Sequence, residues 1–353
     1  MKYMLTGLLS CLILIPALSL IAACGDDDDE AETIDGGAPP KTIENPTCAP
    51  MDTFVGTHGQ LKVEGPDLKN QCGEKVRLKG LSSMWLNWEP SGYAENAAAM
   101  KWMIDNWNVT VIRAAMGVEP SGAYLSNPNK AKAQVNTIVQ NAIDNGIYVI
   151  IDWHAHHDSS IEVEEATAFF KEMATKWGAY PNVLYETWNE PKNHDWLTQV
   201  KPYHEIVVGA IRAVDPDNII IMGTPQWAQR VDVAIDNPVV GTNLMYTLHF
   251  YSCTHTGQLI TNAWQAYFSG VPIFVTEWGA TSADGGVSDK RICSDEADEW
   301  FDTLDSMNAS WAAWKLDDCD EVSCLLTKGA PNSGGWDSYL QGHATYVLGK
   351  LKE

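Results

Sequence analysis

Apolar positions along this chain fall into short β-branched runs that alternate with longer segments. The runs Val76–Leu81, Thr110–Ala114, Tyr148–Trp153, Val183–Thr187, Asn218–Met222, Leu244–His249, Ile273–Thr276 and Ser310–Trp314 read as strands. Between them lie helix-length segments such as Asn96–Asn106, Lys130–Asn145, Glu162–Trp177, Val200–Val214, Gly257–Ser269 and Asp295–Met307. Eight strands at this spacing predict repeated βα units and hence an α/β fold, a (β/α)8 TIM barrel. The pattern and length predict one folded domain over residues 51–353 with no appended module.

The N-terminus departs from this rhythm. Residues 1–23 carry Lys2, an apolar run from Leu8 to Leu20 broken by Pro16, and Ile21-Ala22-Ala23 before Cys24. This predicts a signal peptide, and no other segment is long and apolar enough to span a bilayer. Ile21-Ala22-Ala23-Cys24 resembles the bacterial lipobox, which makes Cys24 the expected lipidation site; an ordinary signal peptide cut near Ala23 is the alternative. Gly25, the aspartates Asp26–Asp29, Glu30 and a Gly-, Pro- and Thr-rich stretch to Pro50 predict a disordered tether over 24–50. An acidic run behind a lipidated cysteine resembles export signals of surface lipoproteins. The expected location is therefore the outer membrane or cell surface, or the extracellular medium, with membrane contact only through the lipid anchor. A solvated periplasmic spacer is the plainer reading of the same residues.

The formal charge of −23 argues against nucleic acid or anionic lipid as partner and suits a neutral polymer. Of eight cysteines, Cys11 and Cys24 belong to the leader, leaving Cys48, Cys72, Cys253, Cys293, Cys319 and Cys324. In an exported protein these suggest up to three disulfides. Short separation favours Cys48–Cys72 and Cys319–Cys324, with Cys253–Cys293 left over, although six cysteines allow about fifteen pairings. No CxxC or HExxH spacing points to a metal.

Chemistry enters with two segments, LYETWNEP (Leu184–Pro191) and IFVTEWG (Ile273–Gly279). Each runs an apolar strand into a carboxylate beside a tryptophan, and together they supply Glu190 and Glu277. Glycoside hydrolysis needs such a pair, one acid to protonate the departing sugar oxygen and one carboxylate to attack or stabilise the anomeric carbon. Barrel chemistry sits where strands end. Trp85, Trp88, Arg113, His154, Asn189, Trp227, His249, Tyr251 and Trp314 collect at those ends with the two glutamates.

The ordered set of motifs resembles glycoside hydrolase family 5, in its bacterial endoglucanase branch. The matching pieces are HGQL (His58–Leu61), VRLKGLSS (Val76–Ser83), VIRAAM (Val111–Met116), GIYVIIDWH (Gly146–His154), NEP (Asn189–Pro191), LHFY (Leu248–Tyr251), TEWG (Thr276–Gly279) and Ser310–Trp314. The resemblance implies a retaining endo-β-1,4-glucanase, monomeric and free of cofactors, acting on β-glucan through acid/base Glu190 and nucleophile Glu277. Retention implies carboxyl groups about 5–5.5 Å apart and a covalent glycosyl-enzyme. Glu186 competes for the acid role but lies inside the strand.

Arg113 could hold Glu277 ionised, or form a structural ion pair. Asn189 would bond the sugar 2-hydroxyl, and Tyr251 could donate to the nucleophile. His154 and His249 would bond substrate hydroxyls or orient the carboxylates, or simply pack at the barrel mouth. Among fifteen tryptophans, Trp88, Trp227 and Trp314 match family positions lining the glycan cleft, and His58 is carried over as a substrate contact. Trp102, Trp107, Trp177 and Trp300 are read as packing, and Trp188 and Trp278 as pointing away from substrate.

Two departures from the family stand out. Gly117 occupies the place of a frequent tyrosine, and Asp317-Asp318-Cys319-Asp320 replaces a segment in which several relatives carry a substrate-binding lysine; Lys315 is not taken as its substitute. Competing readings remain for other residues. His154-Ala155-His156-His157-Asp158 resembles the start of a metal-dependent hydrolase site, with His249 and Asp317 as recruits, but that leaves both glutamate motifs unexplained. A glycan-binding lipoprotein without catalysis would be expected to have lost a carboxylate. Mannan, xyloglucan and mixed-linkage glucan are the alternative substrates.

Overall fold

The computed structural model describes Asn45 and residues 47–353. The expected signal, Cys24 and the tether as far as residue 44 lie outside the described residues. Strands β1 (Lys62–Glu64) and β2 (Asp67–Lys69) form an antiparallel hairpin. Eight more strands follow: β3 (Lys79–Ser83), β4 (Val111–Gly117), β5 (Tyr148–His154), β6 (Val183–Glu186), β7 (Ile220–Met222), β8 (Leu244–Tyr251), β9 (Ile273–Gly279) and β10 (Ser310–Leu316). They pair in parallel in that order, and β10 returns to β3 to close the barrel.

All eight expected strands are present, with shifted ends. The first starts at Lys79 and not at Val76, because the Val76 N–H donates to the Leu68 carbonyl at 3.0 Å and joins the hairpin instead. Helices occupy Ala97–Trp107, Pro128–Asn145, Val163–Trp177, Lys201–Arg212, Gln258–Phe268 and Ser294–Met307, close to the six expected segments. Their starts follow local chemistry. The Asn96 side chain accepts from the N–H groups of Ala98 and Ala99, and Asn127 caps a helix whose first residue is Pro128. Between β7 and β8 the described chain makes only the short turns Pro225–Ala228 and Val231–Ala234. A further helix, Ala344–Lys352, was not anticipated.

The interior has a closed end and an open mouth. At the closed end the hairpin and the short helix Phe54–His58 cap the apolar residues Val111, Tyr148, Ile150, Leu184, Ile221, Met245 and Phe274, which fill the barrel from below. The Tyr148 hydroxyl donates to the Gly59 carbonyl at 2.7 Å and ties the cap down. A larger apolar layer lies between strands and helices, and it takes Trp107, Trp177, Trp188, Trp278 and Trp300 as expected, with Trp102 packed against it.

Two expectations change here. The tether was placed as far as Pro50, yet Asn45 is buried and its side-chain amide donates to the carbonyls of Ala49, Gly56 and Thr57, so the folded domain already includes Asn45. His58 does not reach the mouth. It sits at the closed end, its ring 4.4 Å from that of Phe54 and its Nδ1 3.3 Å from the Asn70 amide. The HGQL motif thus marks the barrel's floor. The disulfides are Cys48–Cys72, Cys253–Cys293 and Cys319–Cys324, the favoured pairing.

Candidate active site

Side chains of a strand alternate between faces, so inward positions recur every second residue. One such step carries four of the strands from apolar to polar lining: Val111 to Arg113 on β4, Ile150 to Asp152 on β5, Leu184 to Glu186 on β6, and Phe274 to Thr276 on β9. Strict alternation would then turn Glu277 outward. The register prevents this, since Thr247 pairs with Phe274 but His249 with Glu277, leaving an extra residue on β9. The resulting bulge lets Thr276 and Glu277 both face the mouth while Trp278 packs into the helices.

Arg113 organises the buried layer. Its Nε and Nη2 donate to the two Glu186 oxygens at 2.7 and 3.2 Å, Nη1 to Glu277 Oε2 at 3.1 Å, and Nη2 to Asn189 Oδ1 at 2.6 Å, with Asp152 Oδ2 at 3.0 Å. Burial disfavours the guanidinium charge, but Asp152, Glu186 and Glu277 outweigh it and hold the pKa above its ordinary value. Arg113 therefore serves three carboxylates, and Glu186 is its bidentate partner. Burial lifts the Asp152 carboxyl well above the usual range against the pull of Arg113. Asp152 Oδ2 also lies 2.6 Å from His154 Nδ1, and the His154 ring stacks on Trp314 at 5.4 Å.

Glu277 and Glu190 face each other in different surroundings. The Tyr251 hydroxyl donates to Glu277 Oε1 at 2.5 Å, and that hydroxyl's pKa is pushed well up by burial and by the glutamate's charge. Glu190 has no arginine within bonding distance among the described residues; burial raises its pKa, opposed by His156 and Arg113. His249 Nδ1 lies 2.9 Å from Glu190 Oε1, and its Nε2 lies 2.9 Å from Thr276 Oγ1. Thr276 donates its single hydroxyl hydrogen to Glu186 at 2.7 Å. Its oxygen therefore accepts from His249 Nε2–H, which leaves Nδ1 as an acceptor while burial keeps the imidazole neutral, with its pKa at about 4. The Nδ1 contact then closes as a hydrogen bond when Glu190 is protonated. One oxygen of Glu190, one of Glu277 and a ring nitrogen of His249 all lie within 4.8 Å of one another.

A cleft of about 520 Å³ covers these groups and is lined also by Trp85, His156, Trp227, Gln229, Lys315 and Glu321. Trp85 follows β3 and Trp227 follows β7, four strands apart in a ring of eight, so the cleft has an indole at each side of the mouth. Trp88 stacks on Trp85 at 4.8 Å and is 53% exposed, outside the cleft proper. Of the residues singled out from sequence, Glu190, Glu277, Arg113, Asn189, His154, His249, Tyr251, Trp227 and Trp314 come together here.

Others were missed. His156 Nε2 lies 3.2 Å from Glu190 Oε2. Lys315, set aside earlier, is buried at the cleft wall with its ammonium 2.8 Å from Glu321 Oε2. Gly117 also has a reason: a Cβ there would come within 2.1 Å of Asn87 Oδ1 and 2.8 Å of Trp85 Cε3. Trp85 and Asn87 thus fill the space that a side chain would need.

The family profile described as cellulase (glycosyl hydrolase family 5) matches residues 69–320. The chain belongs to this family. It is 45% identical over 293 residues to an endoglucanase of Clostridium saccharobutylicum, covering 82% of this chain and 64% of that one. Endoglucanase A of Evansella cellulosilytica is 45% identical over 286 residues, covering 80% of this chain and 57% of its own. The chain thus spans less than two thirds of the length of these curated relatives. Among solved structures, a protein of Cytophaga hutchinsonii superposes with a TM-score of 0.81 at 40% identity, covering 85% and 96% of the two chains. The catalytic domain of Thermobifida fusca endoglucanase Cel5A, solved with cellotetraose, gives 0.80 at 28% identity, covering 85% and 100%. The barrel of this family 5 member is the frame on which the two glutamates are hung.

Proposed function

We propose that this family 5 protein is a retaining endo-β-1,4-glucanase, with Glu277 as nucleophile and Glu190 as acid/base. The observation that carries the reading is the pair of carboxyls with oxygens within 4.8 Å and opposite surroundings. That separation suits direct attack and leaves too little room for the water of an inverting mechanism, which needs about 6.5–9.5 Å. Glu277, bonded by Arg113 and Tyr251, attacks the anomeric carbon as Glu190 passes its proton to the departing oxygen. Glu190, now a carboxylate, takes a proton from water, and the hydroxide so formed cleaves the ester and frees Glu277. Asn189 Nδ2 has no partner among the described residues and is free for a sugar hydroxyl.

Internal cleavage is supported by the position of the carboxylates between Trp85 and Trp227, so that a chain can continue past both sides. The substrate reading rests on relatives named endoglucanase and on the cellotetraose complex. Three disulfides support an oxidising compartment and, with the leader, export; the Ile21-Ala22-Ala23-Cys24 sequence supports a lipid anchor at Cys24. The test is reducing-end release from carboxymethylcellulose, with β-mannan in parallel. Cleavage of the glucan, lost in Glu190→Gln and Glu277→Gln, is expected; cleavage of mannan alone overturns the substrate, and activity surviving in both variants overturns the roles.

A further inference from the structure

The HAHHD segment after β5 is not used by the reading above beyond His154, and its next two histidines have built surroundings. His156 Nε2 stands 3.2 Å from Glu190 Oε2, the oxygen that His249 leaves free, and about a third of the His156 side chain (36%) is open to the cleft. Its ring meets the Trp85 indole edge-on at 4.9 Å. Its backbone N–H donates to Glu119 Oε1 at 3.0 Å. His157 completes the hold, with Nδ1 3.3 Å from Glu119 Oε2 and Nε2 2.7 Å from Glu162 Oε2. Three loop segments, after β4, after β5 and before the helix Val163–Trp177, are thus joined around one imidazole.

We propose that His156 is a positioning residue for the reaction, its Nε2–H turning to the outer oxygen of Glu190 when that carboxyl is charged, and that the clasp of Glu119, His157 and Glu162 holds it in place. The proposal rests on Glu190 being the acid/base. A retaining cycle needs that carboxyl protonated in the first half and ionised in the second. His249, as an acceptor at Oε1, serves the protonated state. His156, as the Nε2–H tautomer at Oε2, serves the ionised one, and no proton need leave it.

Burial keeps the His156 imidazole below its ordinary pKa, against Glu190 and Glu119, so it donates as a neutral ring. The carboxylates of Glu119 and Glu162 beside His157 shift its pKa the other way, above the ordinary value, which strengthens the clasp. The charged and titratable groups facing this pair are Glu190 and Lys192 after β6, Glu119 after β4, Arg113 on β4, His154 on β5, His249 on β8, Glu186 on β6 and Glu162. Of these, His156 brings a ring nitrogen to 3.2 Å from the outer oxygen of Glu190.

A donor to the charged form lowers a carboxyl's pKa, so its loss raises it. The experiment is the pH profile of kcat/KM on a soluble chromogenic cello-oligosaccharide, whose alkaline limb reports the acid/base. His156→Leu is expected to move that limb up by about one pH unit, the worth of one hydrogen bond to a charged carboxyl. His156→Gln keeps an N–H donor and is expected to leave the limb near its wild-type position, and Glu119→Gln to move it upward by less than His156→Leu. A limb that stays or falls in His156→Leu overturns the proposal, as does a glutamine variant that shifts like leucine. If the leucine variant does not fold, as judged by circular dichroism, His156→Phe keeps a ring without nitrogens and carries the same expectation. Failure of the underlying reading looks different, because Glu190→Gln would then retain activity.

Discussion

The two ends of the barrel are built from the same strands and differ in what lies two residues along each one. At the closed end Val111, Ile150, Leu184 and Phe274 pack against the hairpin cap with no charge among them. One alternation higher, Arg113, Asp152, Glu186 and Thr276 form a hydrogen-bonded layer from which Glu277 projects. A rise of about 6.6 Å therefore separates a layer that holds the barrel together from one that disposes its charges. At the closed end the interior polar group described, the Tyr148 hydroxyl, is bonded to the Gly59 carbonyl. The mouth depends on every partner, because a buried charge without its counterpart is costly.

Arg113→Met tests this hardest. It leaves three carboxylates around an empty place, and the expected result is a loss of about 3–5 kcal/mol in urea unfolding with turnover of carboxymethylcellulose down by at least about 100-fold. A stable, active variant would show the mouth to be no more dependent on pairing than the floor. Leu184→Ala, one step below Glu186, should separate the two layers. About 2–4 kcal/mol of stability should go with the cavity, while kcat at 25 °C stays within about twofold because the charged layer keeps its partners; a collapse of kcat would mean the layers are mechanically one.

A smaller effect comes from pH. His249, His204 and His343 all lie toward the mouth, bonded respectively to Thr276, to Thr187 and the Gly223 carbonyl, and to the Ala280 N–H and Ser323 carbonyl. Burial lowers each to about 4. Between the unfolded value near 6.5 and about 4, the unfolded chain binds protons that the folded one refuses, so stability is full above that window and falls as pH drops through it. Glu190 and Asp152, raised by burial, pull the other way. The expected net loss between pH 7 and 5 is about 1–2 kcal/mol in urea midpoints, and a flat curve would remove the mouth's special sensitivity.

The barrel was legible because its strands are apolar runs whose length and spacing leave few alternatives. Strand ends were less so: Val76 reads as strand from its side chain, yet its backbone hydrogen bond is taken by the hairpin. Glu190 and Glu277 could be read because each sits in a short motif fixed to a strand. For Glu277 the inward direction depends on a bulge that alternation cannot foresee. His156 and Lys315 were hidden for a related reason, since their contacts depend on the path of loops and not on neighbouring residues. His58 shows the converse: a motif names a residue type at a position along the chain, but not which end of the barrel that position faces. Gly117 could be recognised as an oddity, whereas its reason, Trp85 and Asn87 lying against it, requires three-dimensional contacts.

The staple at Asn45 and Cys48–Cys72 fastens the incoming chain to the underside of the barrel, beside Gly56 and Thr57. Asn45 and the mouth that carries Glu190 and Glu277 therefore lie at opposite ends of the barrel. The fastening at the floor and the charged groups at the mouth are thus separated by the length of the strands.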